Sequence, residues 1–147
     1  EIHIVIIILG TVLPIGVSDF INNLYIINPI IHMIIFITEK HLEGSKYVYQ
    51  LAPTVKKFTL KDTTFIQTKI GNFEFKRLLE EVPNSNEGFL LKIIVNPDLS
   101  GFKLSVTDKS GLRNVDIFKN ASEMIQNKFY FQMDALVDRG VFTKSEI

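Results

Sequence analysis

Hydrophobic and polar positions change their rhythm near residue 39. Between Ile2 and Thr38 the chain is apolar almost throughout, and Asp19 is the one formal charge. From Glu39 onward polar and apolar positions alternate, and all sixteen basic residues fall there. The first zone holds two apolar runs, residues 2–17 and 20–37, separated by Ser18-Asp19. As helices they would span roughly 24 and 27 Å, against about 30 Å for a bilayer core. Pro14 and Pro29 would kink either helix. Three readings of this zone compete. It can be a membrane-inserted helical segment, a signal-peptide core cleaved near Gly16-Val17-Ser18, or a soluble α/β domain in which residues 4–9 form a buried parallel strand. The first is the leading expectation. Lys40, Lys46, Lys56 and Lys57 follow the zone, so positive flanks would place the main domain on the cytoplasmic side.

The second zone predicts short strands and then a helix. Residues 46–51, 55–60, 63–70, 73–79, 89–95, 102–107 and 112–117 read as about seven strands. Gly71-Asn72 suits a two-residue type II′ hairpin turn, with Ile70 facing Phe73 and Lys69 facing Glu74. Residues 83–88 and 96–101 are loops by composition. Asn120 or Ser122 can cap a helix whose apolar arc holds Ala121, Met124, Ile125, Phe129, Phe131, Met133, Ala135 and Leu136. Gly140 is a natural stop. Thr143 and Glu146 then fit a capping box, with Phe142 as its staple, so a further helix is expected to begin there. The fold class expected is α+β. It comprises an antiparallel meander or small barrel of about seven strands, a C-terminal amphipathic helix, and a preceding apolar segment. The divisions expected are 1–38, 46–140 and 141–147. The chain starts at Glu1 rather than Met and stops just after a helix-start signal, which reads as a piece of something longer.

Composition narrows the chemistry. The chain has 147 residues, room for about one domain. Lys+Arg and Asp+Glu balance at sixteen each, which argues against a dedicated nucleic-acid binder. There is no Cys, so disulfides, thiolate metal sites and cysteine nucleophiles are excluded. Glycine-rich phosphate loops, the Gly-x-Ser-x-Gly elbow and His-Glu-x-x-His are missing from the sequence. His3, His32 and His41 are scattered, and His41 between Glu39 and Glu43 reads as a solvated stretch. Asp98 and Asp108 sit in turns, where Asp normally accepts hydrogen bonds from its own backbone. Glu80-Glu81 reads as solvated surface. Asn120-Ala121-Ser122 matches a glycosylation acceptor, but helix capping explains both polar residues. No catalytic residue, metal ligand or cofactor is assigned.

The remaining candidate is basic. Lys56, Lys57, Lys61, Lys69, Lys76 and Arg77 interleave with Phe58, Phe65, Phe73 and Phe75. Strand alternation could gather several of these cations on one face, where each contributes about 1 kcal/mol near an anionic leaflet. The order of seven strands and one helix resembles pleckstrin-homology-like domains. Residues 134–147, helix, Gly, two apolar residues, Thr and an acidic residue, resemble the first half of a short C-terminal (SHOCT) motif. The resemblance implies a non-catalytic module for lipid headgroups or partner proteins. The leading expectation is therefore a membrane-associated, non-enzymatic binding module, with a membrane and a protein as partners. Two alternatives stand beside it: a fragment of a larger soluble α/β enzyme, and a small immunity-type interaction protein.

Overall fold

The computed structural model of the chain describes residues 4–8, 11–15 and 35–147, with side chains from residue 36 onward. Its strands begin with β1 (Ile4–Ile8), β2 (Thr11–Ile15), β3 (Ile35–Ile37), β4 (Glu39–His41) and β5 (Tyr47–Leu51). A short helix, α1 (Lys57–Asp62), leads into β6 (Ile66–Gln67), β7 (Phe73–Leu79), β8 (Phe89–Val95) and β9 (Phe102–Asp108). The chain ends with α2 (Ile117–Asn120), α3 (Glu123–Asp138) and β10 (Phe142–Glu146). One sheet has the order β2-β1-β3-β9-β8-β7-β6 and the other β10-β5-β4, and neighbours are antiparallel throughout.

Period-two alternation sets which face of the large sheet is buried. Phe75, Ile93 and Leu104 lie directly across from one another, and so do Phe73, Val95 and Phe102. Opposed residues share a face, and all six are buried. The helix α3 adds Ile125, Phe129, Met133 and Leu136 to the same core, and the small sheet adds Tyr49 and Phe142. Ring contacts join the layers: Phe102 to Phe142 at 5.0 Å and Tyr49 to Phe129 at 6.3 Å, both edge-on. Fully burying side chains of this size contributes about 1.5–3 kcal/mol each. The α+β class with antiparallel sheets and an amphipathic helix near the C-terminus is what the structure shows.

Several expectations are corrected. The apolar first zone contributes β1, β2 and β3, which are antiparallel strands rather than helical spans or a parallel strand. Among the described residues no helix is long and apolar enough to cross a membrane. The rest of that zone, with His3, Asp19, Pro29 and His32, lies outside the described residues. Of the strand expected over residues 55–60, residues 57–60 are helix: Thr59 Oγ1 accepts from Lys56 N at 3.3 Å at its start, and Leu60 N donates to Lys56 O at 3.3 Å. Residues 112–117 form one isolated bridge, Thr107 to Asn114, before Asp116 accepts from Phe118 N at 3.0 Å and caps α2. Residues 142–146 are β10 rather than a capped helix, because Phe142 is buried against Phe102 and the free edge of β5 takes the strand. That removes the second helix of the SHOCT resemblance.

The hairpin exists in another register. Ile66 opposes Glu74 and Gln67 opposes Phe73, so the loop runs through residues 68–72. Gly71 N donates to Thr68 O at 3.0 Å with Gly71 at φ +93°, a longer turn than the predicted one. Sidedness decides this. The predicted register would have set Phe65 across from Leu78, on the outer face. The observed one sets Phe65 beside Phe75, ring centroids 5.1 Å apart, inside the core.

Candidate functional site

Two helices of this chain end in the same hydrogen-bonding motif but with different residues at its critical position. At the end of α3, Gly140 N donates to Val137 O at 3.1 Å and Val141 N to Leu136 O at 2.9 Å. Gly140 has φ +83°, as this C-terminal motif requires. At the end of α1, Thr64 N donates to Lys61 O at 3.2 Å and Phe65 N to Leu60 O at 3.0 Å. Here the left-handed position, φ 71°, is held by Thr64. A β-branched residue there is an outlier that costs of order 1–3 kcal/mol and persists only where its surroundings impose it. Such strain gathers at functional sites.

What Thr64 does with its side chain is visible. Its Oγ1 accepts from the Arg77 guanidinium. Arg77 also donates to Lys76 O at 2.9 Å and stacks on the Phe75 ring, 4.5 Å to the centroid. A guanidinium carries five N–H donors, so some remain for a ligand. Arg77 sits in the inward row with Leu91 and Val106, but near the edge of the sheet, where β6 has already ended. It therefore looks into a recess of about 170 Å³ lined by Asp62, Thr64, Phe75, Gln132, Leu136 and Arg139, among others. Arg139, the residue capping α3, donates to Asp62 O at 3.2 Å from the far wall. A second recess of about 240 Å³ adjoins it, sharing Thr64 and Arg77 and adding Ile66, Thr68, Glu74 and Lys76. Lys76 there pairs with Glu74 at 2.9 Å, and the Thr68 hydroxyl is buried without a hydrogen-bond partner.

Several polar groups that line other clefts bond within the fold. A larger cleft, about 610 Å³, is lined by Glu39, Gln50, Asp98 and Ser100 among others. Gln50 donates to Glu39, and Asp98 accepts from Ser100 Oγ at 2.8 Å and Ser100 N at 3.3 Å. Another, about 490 Å³, opens near the start of α3. There Glu81 accepts from the capping residue Ser122, which also accepts from Ile125 N at 3.4 Å. Asp108 accepts from Ser110 Oγ at 2.6 Å and Leu112 N at 3.2 Å, and these bonds hold its carboxyl below the usual range. The two turn aspartates thus cap their own turns, as their sequence context implies.

The six basic candidates do not share a strand face. Lys56 precedes α1, and Lys57 and Lys61 lie on it. Lys69 is in the β6–β7 turn, so it does not face Glu74. Lys76 and Arg77 are adjacent on β7 and point to opposite faces, yet both line the second recess. Glu80 is not plain solvated surface: it pairs with Lys109 at 2.7 Å and accepts from Asn84 N at 3.1 Å. His41 hydrogen-bonds Ser45 O at 2.9 Å and closes a turn. Sequence reading missed Asp62, Thr64 and Arg139. The one available signal was the spacing of Leu60 and Phe65 around Lys-Asp-Thr-Thr, which a strand assignment over residues 63–70 obscured.

Comparison with known proteins bears on all of this. The profile of the DUF1831 family, described as "putative amino acid metabolism", matches residues 34–143. A DUF1831 family protein from Lactobacillus plantarum, with a crystal structure at 1.20 Å, is 33% identical with TM-score 0.66. The match covers 74% of this chain and 96% of that one. A comparison with curated proteins finds no match. These matches overturn the pleckstrin-homology-like and SHOCT resemblances. With them goes the membrane-associated lipid-binding module on the cytoplasmic side, because the matching family is described as putative amino acid metabolism and the described part of the apolar zone supplies strands. The α/β enzyme-fragment alternative set residues 4–9 as a parallel core strand, and β1 is instead antiparallel to both of its neighbours.

Proposed function

Because the chain belongs to the DUF1831 family, we propose that it serves amino-acid metabolism by holding a small zwitterionic amino acid, or a close derivative, in the Arg77 recess. The carrying observation is Thr64, strained at φ 71° with its hydroxyl on the Arg77 guanidinium. A planar guanidinium fixed by stacking and by a side-chain acceptor is pre-organised for a carboxylate, which it can grip with paired N–H bonds. Arg139 supports the same charge from the opposite wall, and Asp62, which also lines the recess, offers a carboxylate that suits an α-ammonium. The recess of about 170 Å³ is smaller than the ~300–1,000 Å³ of drug-sized pockets, so its occupant has few heavy atoms.

Thermal-shift and calorimetric titration of the full chain would test this, using free amino acids, their amides and their N-acetyl forms. Free amino acids should raise the melting temperature, and a ligand at 100-fold its Kd contributes about 2.7 kcal/mol. Amides, lacking the carboxylate, should not. Arg77→Met should abolish the shift while leaving the fold intact. Equal stabilisation by amides, or unchanged binding in Arg77→Met, would overturn the reading.

A further inference from the structure

The strand β10 is the outer strand of the three-stranded sheet, and among the described residues no strand pairs with its far side. Two bonds fix how that edge is oriented. Ala52 N donates to Val141 O at 2.9 Å, and Ile147 N donates to Lys46 O at 3.3 Å. Both continue the register that pairs Phe142 with Leu51 and Glu146 with Tyr47. In an antiparallel ladder only alternate residues exchange bonds with a given neighbour. Thr143 and Ser145, together with Val141 O and Ile147 N, therefore spend their main-chain groups on β5. Phe142, Lys144 and Glu146 turn theirs to the open edge.

We propose that two copies of this chain join edge to edge through β10, antiparallel about a two-fold axis at Ser145. In that register Lys144 of each copy lies directly opposite Glu146 of the other. Both residues have outward backbone groups, so each such pair exchanges two main-chain bonds. Their side chains share a face and carry opposite charge, an arrangement that stabilises a cross-strand pair. Shifting the register by two residues sets Lys144 against its own counterpart, which like-charge repulsion disfavours. Shifting it by one residue sets outward-turned groups against groups already spent on β5. Charge and hydrogen-bond parity thus select one arrangement, and it is isologous, as a closed dimer requires. It also opposes Thr143 to Ile147, whose side chain is otherwise 75% exposed. Lys144 is already ordered before pairing: its Nζ lies 2.6 Å from Asp134 and 4.3 Å from the Tyr47 ring centroid. Less side-chain entropy is then lost on association.

Sedimentation velocity of the full chain over a concentration series tests this, together with charge-reversal variants. The wild-type chain should shift from monomer to dimer as concentration rises. Glu146→Lys alone and Lys144→Glu alone should each weaken self-association about tenfold, since each converts two attractive pairs into two repulsive ones. An equimolar mixture of the two variants restores both pairs and should form the heterodimer as readily as wild type. Glu146→Pro removes an outward N–H without touching a bond to β5, so it should also abolish the dimer while circular dichroism stays unchanged. A wild-type chain that stays monomeric would overturn the proposal. So would single variants that associate normally, a mixture that fails to recover, or a dimer that survives Glu146→Pro.

Discussion

Replacing Thr64 with Gly should cost this protein little stability and much of its binding. The left-handed conformation at φ 71° costs an L-residue roughly 1–2 kcal/mol, a penalty glycine escapes. Against that, glycine adds about 0.4–1 kcal/mol of unfolded-chain entropy. Losing the bond to Arg77 costs about 0.5 kcal/mol, the low end of the range, because the pair is solvent-exposed. The helix-ending bonds of Thr64 N and Phe65 N are main-chain and survive. Net stability should stay within about 1 kcal/mol of wild type, roughly 3–5 °C in Tm. The reciprocal change, Gly140→Thr, imposes the same conformation on a threonine at the end of α3. A Cβ there meets nothing within 4 Å, so backbone strain sets the cost, a net loss of about 0.5–1.5 kcal/mol. Urea unfolding followed by circular dichroism gives both values, and unchanged m confirms that the comparison is sound. Amino-acid titration of Thr64→Gly should show affinity reduced several-fold as Arg77 loses its acceptor. A loss of 2 kcal/mol or more in Thr64→Gly would make Thr64 a structural residue and refute the reasoning. Unimpaired binding would do the same.

Three further outcomes follow from groups elsewhere. Tyr49→Phe should stabilise the chain by about 1 kcal/mol in chemical denaturation, because the Tyr49 hydroxyl is buried with no hydrogen-bond partner and its deprotonation is opposed first by burial and then by Asp134. Gly101→Ala should destabilise by about 1–3 kcal/mol in the same assay, since its Cβ would lie 3.0 Å from Phe36 Cβ and 3.1 Å from Ile37 O, and the backbone oxygen has little room to move. The Lys109 ammonium is the main cause holding Glu80 below its ordinary value of 4.5. A depressed carboxyl stabilises the fold above its unfolded pKa and loses that contribution as pH falls through the folded value. Stability measured by denaturation should therefore fall as pH drops below about 4.5, and Lys109→Met should flatten that fall; an identical slope in the variant would rule the pair out as its source.

Where periodicity acted alone, reading the chain succeeded. Strand β9 follows residues 102–107 through their alternation, and β8 follows residues 89–95 as a short apolar run between two loops. Helix α3, its Ser122 cap and its Gly140 stop are local chemistry, and they stand as expected. Its outer surface is less so. Phe131, 70% exposed, and Met124 belong to the apolar arc on a helical wheel yet lie outside the core, because the sheets reach only the side holding Ile125, Phe129, Met133 and Leu136. The site was legible only as Arg77 and Lys76. Arg139 comes from the other end of the domain, and nothing in the sequence announces that Thr64 takes a glycine's conformation.

The sequence by itself determined an α+β chain with a two-zone charge pattern, most strand positions of the second zone and one amphipathic helix, since these depend on side-chain spacing and capping within a few residues. Tertiary structure decided the rest. Residues 142–146 satisfy a capping box and a strand edge equally well, and only the open side of β5 and the Phe102 ring selected the strand. The described parts of the first zone, β1, β2 and β3, are antiparallel strands because a hydrophobic run carries no information about its partner until β9 offers an edge. The hairpin register was set by where Phe65 could be buried, beside Phe75. Each of these choices turns on a neighbour distant in sequence, and hydrophobic spacing alone cannot name that neighbour.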